Sequence, residues 1–384
     1  MESFSRYLAH GERTGLLTGI KISRSAPKIN HLLFADDCLL FCKANETQVH
    51  KLLDAITQFS QCSGQLINFS KSAVYFSSNT IPDDCQVISG TLQVRSLNIS
   101  DEKYLGLPFF IGRNKRIPFS TLCDKMGYRF SKWSGKNISE AGRLVMVRNV
   151  SSAIPIHHMT SFKLPDTTIN KMEGAQQKYW RQKDSCKGNH VISWKRTQKP
   201  KEEGGLEFCD LKVFNRDLLA KTAWKLCSDS VSMMTKYLKA KYYPDDDLFN
   251  LKKKSSTIWS WRSISLELNF VLKHSYWCLG NGKKILLWKH RWIKDLHEPP
   301  VPKRGCSTSH QFKYVHQLFS ADSMSWNLNT LHDLFEVSVI NLILKISIHS
   351  NQEDRLVWLL ERNNYFCKVC LQQDDGRAAQ LQYC

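Results

Sequence analysis

The chain has 384 residues, and its 54 Lys and Arg against 35 Asp and Glu give a formal net charge of +19 at neutral pH. A hydrophobic fraction of 42% with 11% aromatic residues excludes a largely disordered chain, and the length favours two or three domains. No segment reaches the roughly 20 apolar residues of a membrane helix, and no secretory signal is readable, so the sequence predicts an intracellular protein without a membrane partner.

Helices and strands alternate over the first 112 residues. A helix is predicted where Phe4, Tyr7 and Leu8 share one face, and an amphipathic helix is predicted at about 45–62. Apolar runs of strand length predict short strands at 31–34, 38–41, 72–76 and 103–111. This part of the chain therefore mixes α and β structure.

From residue 117 onward, helical periods replace the strands. The predicted helices are 118–133, 139–153, 166–182, 210–228 and 231–241. Polar runs near residue 250 then separate these helices from a Trp-rich tail. We expect an α+β protein with three domains, at 1–112, 113–250 and 251–384.

Positive charge is concentrated between residues 111 and 200, where 18 basic residues face five acidic ones and aromatic residues are interleaved. This mixture is typical of surfaces that neutralise phosphates and stack bases, and the alternative is a solvated basic helix face. The predicted nucleic-acid contacts are Arg113, Lys115, Arg116, Lys132, Trp133, Lys136, Arg143 and Arg148.

The 13 cysteines are scattered, which favours reduced thiols over a disulfide framework. The pair Cys367 and Cys370, with Cys384 further on, allows a zinc hypothesis. Ordinary free cysteines are the favoured interpretation, because no second ligand pair follows.

Two adjacent carboxylates, Asp36 and Asp37, are the sharpest chemical feature. They lie in the predicted turn between two apolar strands, where mutual repulsion and a low dielectric would penalise them. A bound cation would explain the pair, and the oxygen-preferring Mg²⁺ is the natural candidate. The alternative is a solvent-exposed turn, in which Asp is a favoured residue.

Three segments resemble reverse transcriptases of plant LINE-type non-LTR retrotransposons. Residues 31–41 resemble the catalytic hairpin of that family, 63–72 resemble its next motif with a glycine turn, an asparagine and a lysine, and 103–108 resemble its primer grip. Further segments resemble the region after the polymerase, and they contain Gly204, Gly205, Asn215, Gly280, Gly282, Trp288 and Trp292. The resemblance covers residues 1 to about 366.

The resemblance implies a fold and a set of site residues. Residues 1–112 would be part of a right-hand polymerase palm with antiparallel strands and helices, followed by a mostly helical thumb or connection region and a post-polymerase segment. Asp36 and Asp37 would bind Mg²⁺ in a two-metal site, and Lys71 would assist the leaving pyrophosphate, unless it is a plain surface lysine. The primer grip would be Tyr104, Leu105 and Gly106, whose local interpretation is a strand with a packed tyrosine.

The implied partners are an RNA template and an RNA/DNA or DNA primer duplex, with a nuclear location by resemblance. No protein partner is readable from the sequence.

The sequence also departs from the family. Only 35 residues precede Asp36, so the fingers and the first metal-binding aspartate of the palm are not found, and the chain resembles a retroelement fragment truncated at both ends. Asp54, Asp83 and Asp84 are disfavoured as a third ligand, because the first suits a polar helix face and the others suit a turn. We therefore expect a catalytically incomplete RNA-directed DNA polymerase without activity on its own.

Two other interpretations stay open. One is a noncatalytic basic protein, derived from a retroelement, that binds RNA or RNA/DNA. The other is a chain that does not fold stably, because half a palm leaves a strand edge unpaired.

Overall fold

The computed structural model describes residues 1–97, 102–133, 138–181, 192–244, 248, 257–322 and 325–359. The chain is an α+β protein, in which helices predominate and the described strands pair two by two in four small sheets. It divides into two compact units, called unit 1 (residues 1–113 and 231–245) and unit 2 (residues 114–230 and 246–384). The three domains expected from the sequence remain a prediction.

The elements follow one another in chain order. Those up to residue 133 are α1 (Glu2–Arg13), β1 (His31–Phe34), β2 (Asp37–Leu40), α2 (Glu46–Ser63), β3 (Ala73–Val74), α3 (Pro82–Leu92), β4 (Arg95–Ser96), β5 (Lys103–Tyr104), β6 (Leu107–Pro108) and α4 (Ile117–Trp133). The next are α5 (Glu140–Val145), α6 (Ile156–Met159), α7 (Asp166–Trp180), α8 (Trp194–Thr197), α9 (Leu211–Ser228), α10 (Met233–Tyr242), α11 (Trp259–Lys273), β7 (Ser275–Cys278), α12 (Leu328–Leu334), α13 (Val337–Ile343) and β8 (Arg355–Trp358).

Helices α1 and α2 carry the core of unit 1. The side chain of Asn45 accepts the N–H of Gln48 at 2.8 Å to begin α2, and Gly64, with φ of 70°, ends it, because a left-handed residue satisfies the last carbonyl groups. Phe4 and Leu8 of α1 are buried, and Phe4 stacks on Phe59 of α2 with the ring centroids 4.6 Å apart. Both helices confirm the sequence prediction.

Three small sheets belong to unit 1. Strands β1 and β2 form an antiparallel hairpin, β5 and β6 form another, and β3 pairs parallel with β4. Leu33 and Leu40 of the first hairpin pack against the core of α1 and α2. Helix α10 belongs to this unit, because the hydroxyls of Ser23 and Ser25 donate to the carbonyl of Ala240.

Helix α3 corrects the expectation of a turn around Asp83 and Asp84. Pro82 occupies its first position, and the two aspartates lie in its first turn. Proline and acidic residues are favoured there, because the first N–H groups need no helical partner and carry a partial positive charge. The local sequence therefore held a helix signal that the turn interpretation overlooked.

Unit 2 is built on long helices that pack in pairs, α4 with α7 and α9 with α11. Phe119, Leu122 and Met126 bury one face of α4, while Leu219 and Ala220 are fully buried in α9. The helix predicted at 139–153 is present from Glu140 to residue 153, with a π-helical segment at 146–151 after α5. The helices α4, α7, α9 and α10 lie within two residues of their predicted bounds at each end, whereas α6 and α8 were not predicted.

The end of unit 2 forms its own hydrophobic cluster. Strands β7 and β8 pair antiparallel, and the buried residues beside them include Leu279, Ile285, Leu287, Trp292, Leu331 and Leu334. Among the described residues, no helix combines the length and the apolar composition needed to cross a membrane.

Candidate functional site

The Asp-Asp hairpin is tighter than the sequence indicates. Phe34 pairs with Asp37, so the turn contains only Ala35 and Asp36, and Asp37 is the first residue of β2 rather than part of the turn. Two-residue connections are the commonest in hairpins, because their twist matches that of the strands. Asp36 and Asp37 are both exposed, so water, a cation or a phosphate ester can reach their carboxylates without a desolvation cost.

The tip of this hairpin is conformationally strained. Ala35 has a φ of +50°, in the left-handed region. A residue with a Cβ pays roughly 1–2 kcal/mol there, and such residues concentrate at functional sites. The tight turn therefore holds Ala35, next to Asp36, in a backbone conformation that is uncommon for a residue with a side chain.

The base of the hairpin is anchored to α1. His31 Nε2 lies 2.8 Å from the hydroxyl of Ser5, and the buried side chain of Asn30 donates to the carbonyl of Leu8 at 2.9 Å. Burial lowers the pKa of His31, and the negative charge of Glu12 partly opposes this shift. These hydrogen bonds therefore hold the base of the hairpin that carries the two carboxylates against α1.

The second motif forms a capped turn. The side-chain oxygen of Asn68 accepts the N–H of Lys71 at 3.1 Å and the hydroxyl of Ser70 at 2.6 Å, which fixes a single 3₁₀ turn at Phe69–Lys71. These bonds give the asparagine a structural role. The side chain of Lys71 is exposed, and no hydrogen bond or ion pair within the described residues joins it to Asp36 or Asp37.

The third motif is a second strained hairpin. Leu105 and Gly106, the two turn residues between β5 and β6, have φ values of +51° and +79°. Burial raises the pKa of the Tyr104 hydroxyl, and the negative charge of Asp37 raises it further. Asp37 is therefore near enough to influence the pKa of Tyr104.

Some of the predicted nucleic-acid contacts are exposed side chains, and others already contact other residues of the protein. Arg113, Arg116 and Lys132 are exposed, whereas the ammonium group of Lys115 lies 4.5 Å from the centroid of the Trp259 ring. These exposed cations can reach a phosphate backbone.

The other predicted contacts already have partners or lie elsewhere. Arg148 pairs with Glu207, Trp133 packs against the buried ring of Tyr179, and Arg143 is close enough to affect the pKa of Tyr179. Lys136 lies outside the described residues, as do Cys367, Cys370 and Cys384 of the zinc hypothesis.

Asn215 of the downstream motif holds the fold of unit 2. Its side-chain oxygen accepts the N–H of Leu164 at 2.8 Å, and its amide donates to the carbonyls of Met159 and Phe162 at 2.9 Å each. Asn215 is buried, and these bonds satisfy backbone groups that would otherwise lose their water. The residue therefore joins α9 to the segment before α7.

The Gly280-Asn281-Gly282 segment surrounds a carboxylate of the chain itself. Asp354 is buried and accepts the N–H groups of Gly280 at 2.8 Å, Gly282 at 2.9 Å and Lys284 at 2.8 Å. Gly282 has a φ of +68°, and a Cβ there would lie 2.6 Å from the amide nitrogen of His316. Sequence reasoning missed Asp354, because it lies 74 residues from Gly280 and no local pattern marks it.

The donor set of the first hairpin suits only a partial metal site. Mg²⁺ usually keeps several waters and takes one or two carboxylates together with substrate phosphates, so Asp36 and Asp37 fit that role. Among the described residues, no group of three or more His, Cys, Asp or Glu could hold a metal ion. Asp54, Asp83 and Asp84 are exposed on α2 and α3 and complete no such group.

Comparison with known proteins gives two relatives. The chain is 31% identical over 191 residues to a protein of Arabidopsis thaliana named "Putative ribonuclease H protein", a match that covers 49% of this chain and 31% of the relative. It is 29% identical over 154 residues to an uncharacterized mitochondrial protein of Arabidopsis thaliana, covering 39% of this chain and 97% of that protein. The chain thus spans less than a third of the first relative and nearly all of the second. No protein-family model matches the sequence.

Proposed function

We propose that this chain derives from a retrotransposon reverse transcriptase and that unit 1 is part of a polymerase palm. The observation that carries the proposal is the tight hairpin of β1 and β2, which places the adjacent and exposed carboxylates of Asp36 and Asp37 at its tip. A relative named for ribonuclease H, an enzyme class that acts on nucleic acid, supports a nucleic-acid function at low identity.

Each motif residue has a role in this proposal. Asp36 and Asp37 would hold Mg²⁺, which supplies charge neutralisation and activation of a primer hydroxyl in phosphoryl transfer. Tyr104, Leu105 and Gly106 would position the primer end. Lys71 is exposed, and its ammonium group is chemically able to give a proton to a leaving pyrophosphate.

The chain by itself is proposed to be catalytically deficient. Two exposed carboxylates provide part of a two-metal site, and no third ligand joins them among the described residues. Without it, the site lacks much of the fixed charge that stabilises phosphoryl transfer. We expect no primer extension on an RNA template with Mg²⁺ and all four dNTPs above that of an Asp36→Asn/Asp37→Asn variant.

Iron-directed cleavage tests the metal site without depending on polymerase activity. Fe²⁺ in place of Mg²⁺, with ascorbate and peroxide, should cut the backbone next to its site, near residue 36, and the Asp36→Asn/Asp37→Asn variant should lose this cut. Asp83→Asn/Asp84→Asn is the matched control, since it removes another exposed Asp-Asp pair of unit 1. Equal cleavage of the wild type and the first variant would refute metal binding at the hairpin.

A second candidate function is binding of RNA or RNA/DNA without catalysis. The observation that favours it is the excess of 18 basic over five acidic residues at 111–200, with Arg113, Arg116 and Lys132 exposed. Binding through several phosphates should weaken by orders of magnitude between 50 and 200 mM salt. Absent or salt-insensitive binding would eliminate this candidate.

A further inference from the structure

Four aromatic rings of unit 1 form a continuous row that begins at Tyr104 of the second hairpin. Tyr104 contacts Phe109 edge to face at a centroid distance of 6.5 Å. Phe109 lies 4.9 Å from Phe110, and Phe110 lies 4.9 Å from Tyr75. We call these four residues the aromatic row.

Backbone and charge interactions hold the two ends of the row together. The N–H of Phe109 donates to the carbonyl of Glu102 at 3.0 Å, and the carboxylate of Glu102 pairs with Arg95 of β4. Strand β4 in turn pairs with β3, which leads directly into Tyr75. The row is therefore built from two segments of the chain, one at Tyr75 and one at 104–110, which the fold brings together.

The row forms a surface rather than a core. Tyr75 is 46% exposed and the other three rings are half-buried, whereas Phe4 in the core of the same unit is 1% exposed. Two exposed lysines, Lys71 and Lys103, lie close in sequence to the two ends of the row. Accessible rings provide a stacking surface, and exposed lysines in the same segments of the chain can attract phosphates.

We propose that the Tyr75 and Phe110 end of the aromatic row stacks against an unpaired base of a nucleic acid bound to unit 1. The occupant is single-stranded, because the face of a base inside a duplex is already covered by its neighbours. The inference rests on the proposed nucleic-acid function and assigns that function a second contact site. Stacking also accounts for a large exposed tyrosine where a small polar residue would serve solubility better.

The experiment compares two oligonucleotides of equal length and charge, one with normal bases and one in which abasic linkers replace the central bases. The full chain should bind the normal oligonucleotide about tenfold more tightly, the effect of roughly one stacked base. Tyr75→Ala and Phe110→Ala should reduce this preference towards one, while binding of the abasic oligonucleotide is unchanged. Tyr75→Phe keeps the ring and should keep the preference.

Tyr128→Ala is the matched control, because Tyr128 is an exposed tyrosine on the basic helix α4 of unit 2. Loss of the preference in this variant, with Tyr75→Ala unaffected, would overturn the inference by placing the stacking in unit 2. Equal wild-type binding of both oligonucleotides would overturn it and leave nucleic-acid binding intact. Binding of neither would refute the proposed function itself, and a normal far-UV spectrum of each variant excludes misfolding as the cause.

Discussion

The Asp-Asp pair of unit 1 lies at its surface, whereas Asn215 and Asp354 of unit 2 are buried and hydrogen-bonded within the fold. Asp36 and Asp37 are exposed on a strained turn, and the polar partners described for the hairpin support its base. In contrast, Asn215 binds three backbone groups and Asp354 accepts three N–H groups, so both are saturated by the chain itself.

This difference shows that a polar residue can have a structural role or a functional role. A polar residue whose hydrogen bonds are complete inside the protein has no capacity left for a ligand, and its removal damages the fold. An exposed polar residue outside such a network contributes little to stability, so its removal is expected to change the function more than the fold. The comparison predicts opposite results for substitutions in the two units.

The largest effect is expected for Asp354→Ala in unit 2. Three backbone N–H groups, two of them buried and one partly buried, would lose their acceptor, which should lower the free energy of unfolding by about 3 kcal/mol or more. Urea unfolding followed by tryptophan fluorescence measures unit 2 selectively, because all 11 tryptophans lie in its sequence ranges. Glu353→Ala is the control, since the Glu353 carboxylate is exposed and pairs only with Lys284 at the surface. An Asp354→Ala variant as stable as Glu353→Ala would contradict a structural role for the buried carboxylate.

A smaller and pH-dependent effect is expected at His31. Because burial lowers its pKa below the ordinary 6.5, the unfolded state binds the proton more tightly than the folded state. Its contribution to the stability of unit 1 is therefore complete above pH 6.5 and declines as the pH falls from 6.5 towards the lowered value. Hydrogen exchange of unit 1 peptides, corrected for the intrinsic pH dependence of exchange, should show this decline.

His31→Gln should flatten the decline, and His50→Gln, at an exposed position of α2, should not. Glu173 in unit 2 should change stability with pH in the opposite direction to His31. Burial raises the pKa of Glu173 above 4.5, so the folded state binds the proton more tightly than the unfolded state. Its contribution to stability therefore increases as the pH falls through that raised value towards 4.5. A His31→Gln variant that keeps the wild-type slope would assign the decline to other groups.

The smallest change in stability is expected for Asp36→Asn/Asp37→Asn. Both side chains are exposed and adjacent like charges repel, so the free energy of unfolding should change by less than about 0.5 kcal/mol. The same variant should lose iron-directed cleavage at the hairpin. A large loss of stability would show that the pair supports the fold, as Asp354 does, and would remove the contrast between the units.

Local signals account for the elements that the sequence predicted. Asn45 and Gly64 mark the ends of α2 through bonds that form within one turn of the residue itself. The apolar runs on either side of Asp36 likewise specify a hairpin, although the exact turn depends on a strained Ala35 that apolar patterning does not register.

Features that depend on distant partners escaped prediction. Asp354 meets the amides near Gly280 only through the fold, and Tyr75 joins the aromatic row only because β3 pairs with β4. Helix α3 is a different case, since its signal was local and two acidic residues were interpreted as a turn. The adjacent Phe109 and Phe110 after the second hairpin are the one local sequence signal that could have indicated the aromatic row.

The bond between Asp354 and the amide of Gly280 also has a consequence for folding during synthesis. The carboxylate is made 74 residues after the glycine, a delay of about 4–15 s at ordinary translation rates. Until then the three N–H groups lack their acceptor and β7 lacks its partner strand β8, although every residue of the apolar cluster around Trp292 has already been made. Ribosome-bound chains that stop before residue 354 are therefore expected to leave the Gly280–Lys284 segment and β7 less protected from hydrogen exchange than chains that include β8.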